Sequence, residues 1–280
     1  LPKDPEDRVI FVPQEELFLV PFAALQDSKG KYLIKNHTIV IAPSIQVLNF
    51  TNQLKNSVIK DDFKSALVVG NPIMPTIPGQ TQPLGTLPNA GIEANNIAEF
   101  LKTTSLTGSK ATKIDVVKKM LNASLIHLAT HGLLDEIKQF GLSQTTKQLS
   151  TPGALALAPS QKDKNDGFLT SEEIMDMKLK AQMVVLSACN TGRGNITGDG
   201  IIGLSRSFIA AGVPSVVVSL WAVPDAPTSE LMQEFYSQLR GNHNDDKAKA
   251  LRQAMLKIME KPQYRDPKNW AAFTLIGEAD

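Results

Sequence analysis

The feature that most constrains this chain is a recurring unit: a short, β-branched apolar run, a turn residue, then a stretch with helical spacing. Ala66 to Val69 stops at Gly70-Asn71-Pro72, and Leu125 to Ala129, Met183 to Leu186 and Ser215 to Leu220 repeat the pattern. Runs this short and this uniformly apolar belong to strands covered on both faces, and strands alternating with helices imply parallel pairing. Helical spacing marks Asn89 to Leu101 (Ile92, Ile97, Phe100, Leu101), Thr112 to Leu121, Thr170 to Met177, Ile201 to Ala211, Thr228 to Leu239 and Lys247 to Met259. Gly212 and Pro214 supply the expected stop after Ala211, and Ala271 to Ile276 reads as a last strand. The expected fold is α/β, a mostly parallel sheet sandwiched by helices.

The N-terminal part reads differently. Val9 to Val12, Leu17 to Val20 and Tyr32 to Ile41 read as strands, the last as a hairpin, before a helix from Ser44 to Leu54 with Ser44 as its cap. Residues 1–60 are therefore expected to be a β-rich N-terminal region and residues 61–280 the main α/β region. Prolines 72, 75, 78, 83 and 88 make the stretch between the first main strand and helix a loop. Leu1 stands where a methionine would start a chain, and no charged and apolar leader follows, so the expectation is a piece of a longer protein.

Composition narrows the function. With 42% apolar residues the chain has enough material for a core, and 29 Lys plus Arg against 28 Asp plus Glu give no electrostatic reason for a nucleic-acid or anionic-membrane partner. The longest apolar run, Val213 to Val223, is interrupted by Pro214 and is too short to span a bilayer, so no membrane segment is expected. A single cysteine builds neither an internal disulfide nor a cysteine zinc cage, which favours a reducing cytoplasm. Asp135, Glu136, Asp163 and Asp166 show no metal-cage spacing, so no metal and no cofactor are expected, and no G-x-S-x-G elbow occurs.

Two strand ends carry reactive groups. SLIHLATHG places His131 and Gly132 after a buried strand, and MVVLSACNTG places Cys189 after another, so both leave the sheet at its carboxyl edge. A histidine within reach of a thiol generates the thiolate and later protonates a leaving amine. The small residues Ser187, Ala188 and Gly192 let a substrate backbone approach, and the N–H groups of Gly132 and Cys189 are candidates for an oxyanion hole. On residues alone a buried structural cysteine and histidine remain the alternative. Gly198 to Gly203 matches G-x-G-x-x-G, but the intervening residues Cys189 to Thr197 set it too far from its strand for a phosphate site. Its glycines are expected to form a flexible loop over the site.

Taken in order, HLATHG, LSACNTG, GDGIIGLSRSFIAAGVPSVVVSLW and VPD, with the earlier VPQEELFLVPFAAL and APSIQVL, resemble the signature series of CHAT domains, relatives of caspases and separase. The resemblance spans nearly the whole chain. It implies a caspase-like fold, a dyad of His131 and Cys189, endopeptidase action on a protein substrate through a thioester, fusion to tetratricopeptide repeats or an activating protein partner, and a bacterial source. His127, inside the strand, is expected to pack rather than react. Ser-Ala-Cys-Asn-Thr replaces the caspase Gln-Ala-Cys turn, so cleavage after aspartate does not transfer. SLWAVPD is similar to a run in separase, which makes Trp221 a candidate cleft residue and Asp225 a candidate partner for Arg or Lys beside the cut; the alternative is a core tryptophan and a helix cap. Residues 135–151 and 193–198 are expected to be loops that a partner orders. The rival function is a catalytically silent caspase-like scaffold.

Overall fold

The computed structural model describes residues 1–4, 7–133, 153–160, 166–187, 198–221, 224–241 and 246–280, with the side chains of residues 198–201 and 225 outside that description. Five strands run parallel: β3 (Ala66–Pro72), β4 (Ser105–Gly108), β5 (Leu125–Ala129), β9 (Met183–Leu186) and β10 (Ser215–Ser219). β11 (Phe273–Gly277) pairs antiparallel with β10, and β2 (Thr38–Ile41) and β1 (Arg8–Phe11) follow it in parallel, completing an eight-stranded sheet in the order β1-β2-β11-β10-β9-β5-β3-β4.

Alternate residues of each central strand enter different cores, as the two-residue period of a strand requires. Val68, Leu125, Val185 and Val217 pack under α2 (Pro88–Leu101), α6 (Asp225–Arg240) and α7 (Lys247–Glu260). Val69, Ile126, Val184 and Val218 pack under α3 (Lys113–Met120), α4 (Ser171–Met175) and α5 (Gly198–Ala210). Both faces are covered, which is why these runs are apolar throughout. α2 lies unusually close to the sheet: a Cβ on Gly70 would stand 2.2 Å from the Ala90 carbonyl oxygen. Only glycine permits that approach.

Local chemistry explains the helix ends. The hydroxyls of Ser44, Thr112 and Thr170 accept from the N–H groups of Val47, Asp115 and Glu173, capping α1 (Ile45–Leu54), α3 and α4. Gly212 takes φ +110 beyond α5. Beside the main sheet, β6 (Gly132–Leu133), β7 (Ala154–Ala156) and β8 (Phe168–Thr170) form a small antiparallel sheet whose Leu133, Ala154, Ala156 and Phe168 side chains cluster with Met74 and Ile77.

Several expectations need correction. Leu17 to Val20 is no strand: Glu15–Leu19 is a 3-10 helix lying between Pro13 and Pro21, and Leu17 is 58% exposed. Proline's missing N–H makes such a segment a poor sheet member. Tyr32 to Ile41 is not a hairpin, because only Thr38–Ile41 is a strand and both its neighbours run parallel to it. Gly198 and Gly200 open α5 rather than forming a loop. The buried face of α2 is Glu93, Ala94, Ile97, Ala98 and Leu101, while Ile92 is 54% exposed. Residues 134–152 and 188–197, which contain most of the two loops expected to be ordered by a partner, lie outside the described residues.

Candidate active site

The site grows from the pairing of β5 with β9. They are parallel neighbours with Leu128 opposite Leu186, and their carboxyl ends leave the sheet side by side. His131 follows Leu128 at the same sequence spacing as Cys189 follows Leu186. Cys189 itself lies outside the described residues.

The exit of β5 is bolted to the small sheet. The Thr130 hydroxyl donates to the Ala156 carbonyl at 2.6 Å, and the Ala156 N–H donates to the His131 carbonyl at 2.9 Å. Hydrogen-bonded and non-hydrogen-bonded pairs alternate along an antiparallel ladder, so Gly132, opposite Leu155, occupies the non-bonded position. Its N–H therefore points away from β7.

His131 is 3% exposed, and its Nε2 lies 2.6 Å from the carbonyl oxygen of Gly85. A carbonyl only accepts, so Nε2 carries the proton and the basic lone pair is on Nδ1. Burial depresses the histidine's pKa below its ordinary value, with the Gly85 hydrogen bond opposing that shift. The imidazole is thus neutral at neutral pH, the form that can take a proton.

Gly85 belongs to the proline-rich loop before α2. That loop is tied down where Leu84 N–H donates to the Pro75 carbonyl at 3.1 Å and Leu87 N–H donates to Asn71 Oδ1 at 2.8 Å. Sequence reasoning did not find Gly85, since a backbone carbonyl carries no residue-type signal.

The other candidates are spread around this edge. Trp221 lies just past β10, half-buried against both cores, and its Nε1–H donates to the Lys268 carbonyl at 3.2 Å. Asp225 opens α6, which starts earlier than the expected Thr228. His127 is fully buried within β5, with Nδ1 3.0 Å from the Tyr236 hydroxyl and Nε2 3.1 Å from Glu93 Oε1. Among the described residues no group of three or more His, Cys, Asp or Glu side chains is placed to hold a metal ion, and no helix is long and apolar enough to cross a membrane.

A mostly parallel sheet flanked by helices, with candidate groups at the carboxyl ends of adjacent strands, is a caspase-like architecture. Solved structures bear this out at the level of the fold. The separase–securin complex of Saccharomyces cerevisiae matches with a TM-score of 0.51 at 16% identity, over 92% of this chain and 15% of that one. The Arg-specific cysteine proteinase gingipain R matches with a TM-score of 0.52 at 12% identity, over 92% of this chain and 57% of that one.

The CHAT domain family model matches residues 2–278, and the chain belongs to that family. Among curated proteins it is similar to tetratricopeptide repeat protein 28 of Homo sapiens, 32% identical, and of Mus musculus, 30% identical, with 96% of this chain aligned in each case. The chain spans 12% of the length of those relatives.

Proposed function

We propose that this domain is a cysteine endopeptidase acting on protein substrates, with His131 and Cys189 as its dyad. The observation that carries the reading is the His131 Nε2–H bond to the Gly85 carbonyl, which orients a neutral imidazole at the edge where β9 continues toward Cys189. His131 Nδ1 takes the thiol proton, and the thiolate sulfur attacks the scissile carbonyl carbon. The N–H groups of Gly132 and Cys189 receive the oxyanion. Collapse breaks the C–N bond while His131 returns the proton to the leaving amine, leaving a thioester. Water, deprotonated by His131, then attacks the thioester, releasing the new carboxyl terminus and the thiol.

The finer features belong to the same proposal. Asp225 at the start of α6 offers a carboxylate to an Arg or Lys preceding the cut, with Trp221 lining the cleft. Tetratricopeptide repeats, named in the relatives, are the source of a fused or bound partner that controls access. A reducing cytoplasm keeps Cys189 as a thiol. Residues 1–60 act as a supporting segment to the catalytic region 61–280.

The test is incubation of wild type and Cys189→Ala with a diverse peptide library, reading new termini by mass spectrometry and adding any neighbouring repeat domain in parallel. Cleavage by wild type alone, after Arg or Lys, is the expected outcome. No cleavage in either form, with Cys189 inert to iodoacetamide, would move the domain to a silent scaffold.

A further inference from the structure

Behind the dyad strand lies a polar network that the chemistry above does not use. Glu93, His127 and Tyr236 are 4%, 0% and 1% exposed, and they sit on three different elements: α2, β5 and α6. With a neutral His127, one arrangement of protons satisfies both contacts. His127 Nε2–H donates to the Glu93 carboxylate, and the Tyr236 O–H donates to His127 Nδ1. Burial, and then the neighbouring Glu93 charge, raise the Tyr236 pKa well above its ordinary value, so the phenol keeps the proton it donates.

Burying a carboxylate and an imidazole in an otherwise apolar layer is costly, and a leucine or methionine would fill that space. What the network supplies is a fixed relation between its three elements, and each element delivers one part of the candidate site. β5 runs on to His131. α2 follows the loop whose Gly85 carbonyl holds His131. α6 begins at Asp225. His127 lies inside β5 and His131 two residues past its end, so the influence of one imidazole on the other runs through the placement of backbone and helices.

We propose that Glu93, His127 and Tyr236 are positioning residues, a clamp that sets α2 and α6 against β5 so that the Gly85 carbonyl holds His131 in its Nε2–H tautomer. This rests on the peptidase reading for its purpose, but not for its detection.

The experiment uses wild type, Tyr236→Phe and Glu93→Gln, each checked for folding by circular dichroism. The His131 tautomer is read from 15N shifts of the imidazole, assigned with His131→Gln, and Cys189 is alkylated by iodoacetamide at neutral pH. Tyr236→Phe removes one hydroxyl and keeps the ring. It is expected to convert His131 from a single Nε2–H form to a mixture of tautomers and to slow alkylation roughly tenfold, a modest share of what misplacement of a catalytic group can cost. Glu93→Gln keeps the volume and an acceptor oxygen, and is expected to move both readouts the same way by less; it carries the test if Tyr236→Phe fails to fold. Unchanged tautomer and alkylation rate with only a lowered melting temperature would overturn the clamp and leave the network as packing. A wild type that cleaves nothing, with a tautomer that still shifts in Tyr236→Phe, keeps the clamp and removes the peptidase. Cleavage by wild type, with a tautomer indifferent to both variants, does the reverse.

Discussion

His127 lies in the middle of β5 and His131 just past its end, with only Leu128, Ala129 and Thr130 between them, yet their surroundings have opposite consequences. His127 is enclosed, both ring nitrogens engaged by side chains from two helices. A proton there has nowhere useful to go, and the residue's work is to hold α2 and α6 to the sheet. His131 lies past the strand end, where one backbone carbonyl sets its tautomer and burial keeps it neutral. Both residues are nearly inaccessible, so burial does not separate the roles proposed for them; position does, one within the strand and the other just past its end.

The largest expected effect separates the two histidines directly. His131→Asn should lower kcat/KM on the best library peptide by about 10²–10⁴-fold, the usual value of a general acid–base group, with little change in the urea midpoint. His127→Asn should instead lower the midpoint first, and a selective loss of activity at full stability would break the distinction. Next comes the close approach of α2 to β3. Gly70→Ala puts a methyl group into the Ala90 carbonyl and the Ala94 side chain, and should cost about 3 kcal/mol by chemical denaturation as α2 is pushed outward. Tyr236→Phe leaves His127 Nδ1 buried without its donor and should cost about 2 kcal/mol on the same measurement.

The smallest effect is a pH dependence. The folded pKa of His131 lies below its unfolded value of about 6.5, so the unfolded chain binds the proton more readily. The stability associated with a neutral His131 is fully present above pH 6.5 and is lost as pH falls toward the lower, folded pKa. Comparing wild type with His131→Asn in denaturant melts across that window should show the extra acid sensitivity in wild type alone. Equal curves would mean that burial does not hold the imidazole neutral.

Much of the architecture was legible from local pattern. The doubly covered strands Leu125–Ala129 and Met183–Leu186, the cap at Ser44, and the stop at Gly212 are signals that a strand or helix end imposes within a few residues. The candidate groups His131 and Cys189 were likewise chosen from sequence, by residue type, by position just past a buried strand and by an ordered series of motifs. The α2 face was not legible. Counting apolar residues favoured Ile92, and the fold instead buries Glu93, a choice that makes sense only once His127 and Tyr236 are beside it.

Strand order and direction were also beyond local reading. Nothing within Phe273–Gly277 states that it runs against β10 and alongside β2, since a strand's neighbours are decided by where distant segments pack. The Gly85 carbonyl is the extreme case, because its role comes from the path of a proline-rich loop and from no side chain at all. Periodicity, capping chemistry and reactive residue types are properties of neighbours along the chain, and they were written in it. Which carbonyl meets which imidazole, and which carboxylate can be buried, depend on groups brought together from far apart, and those only the packed molecule decides.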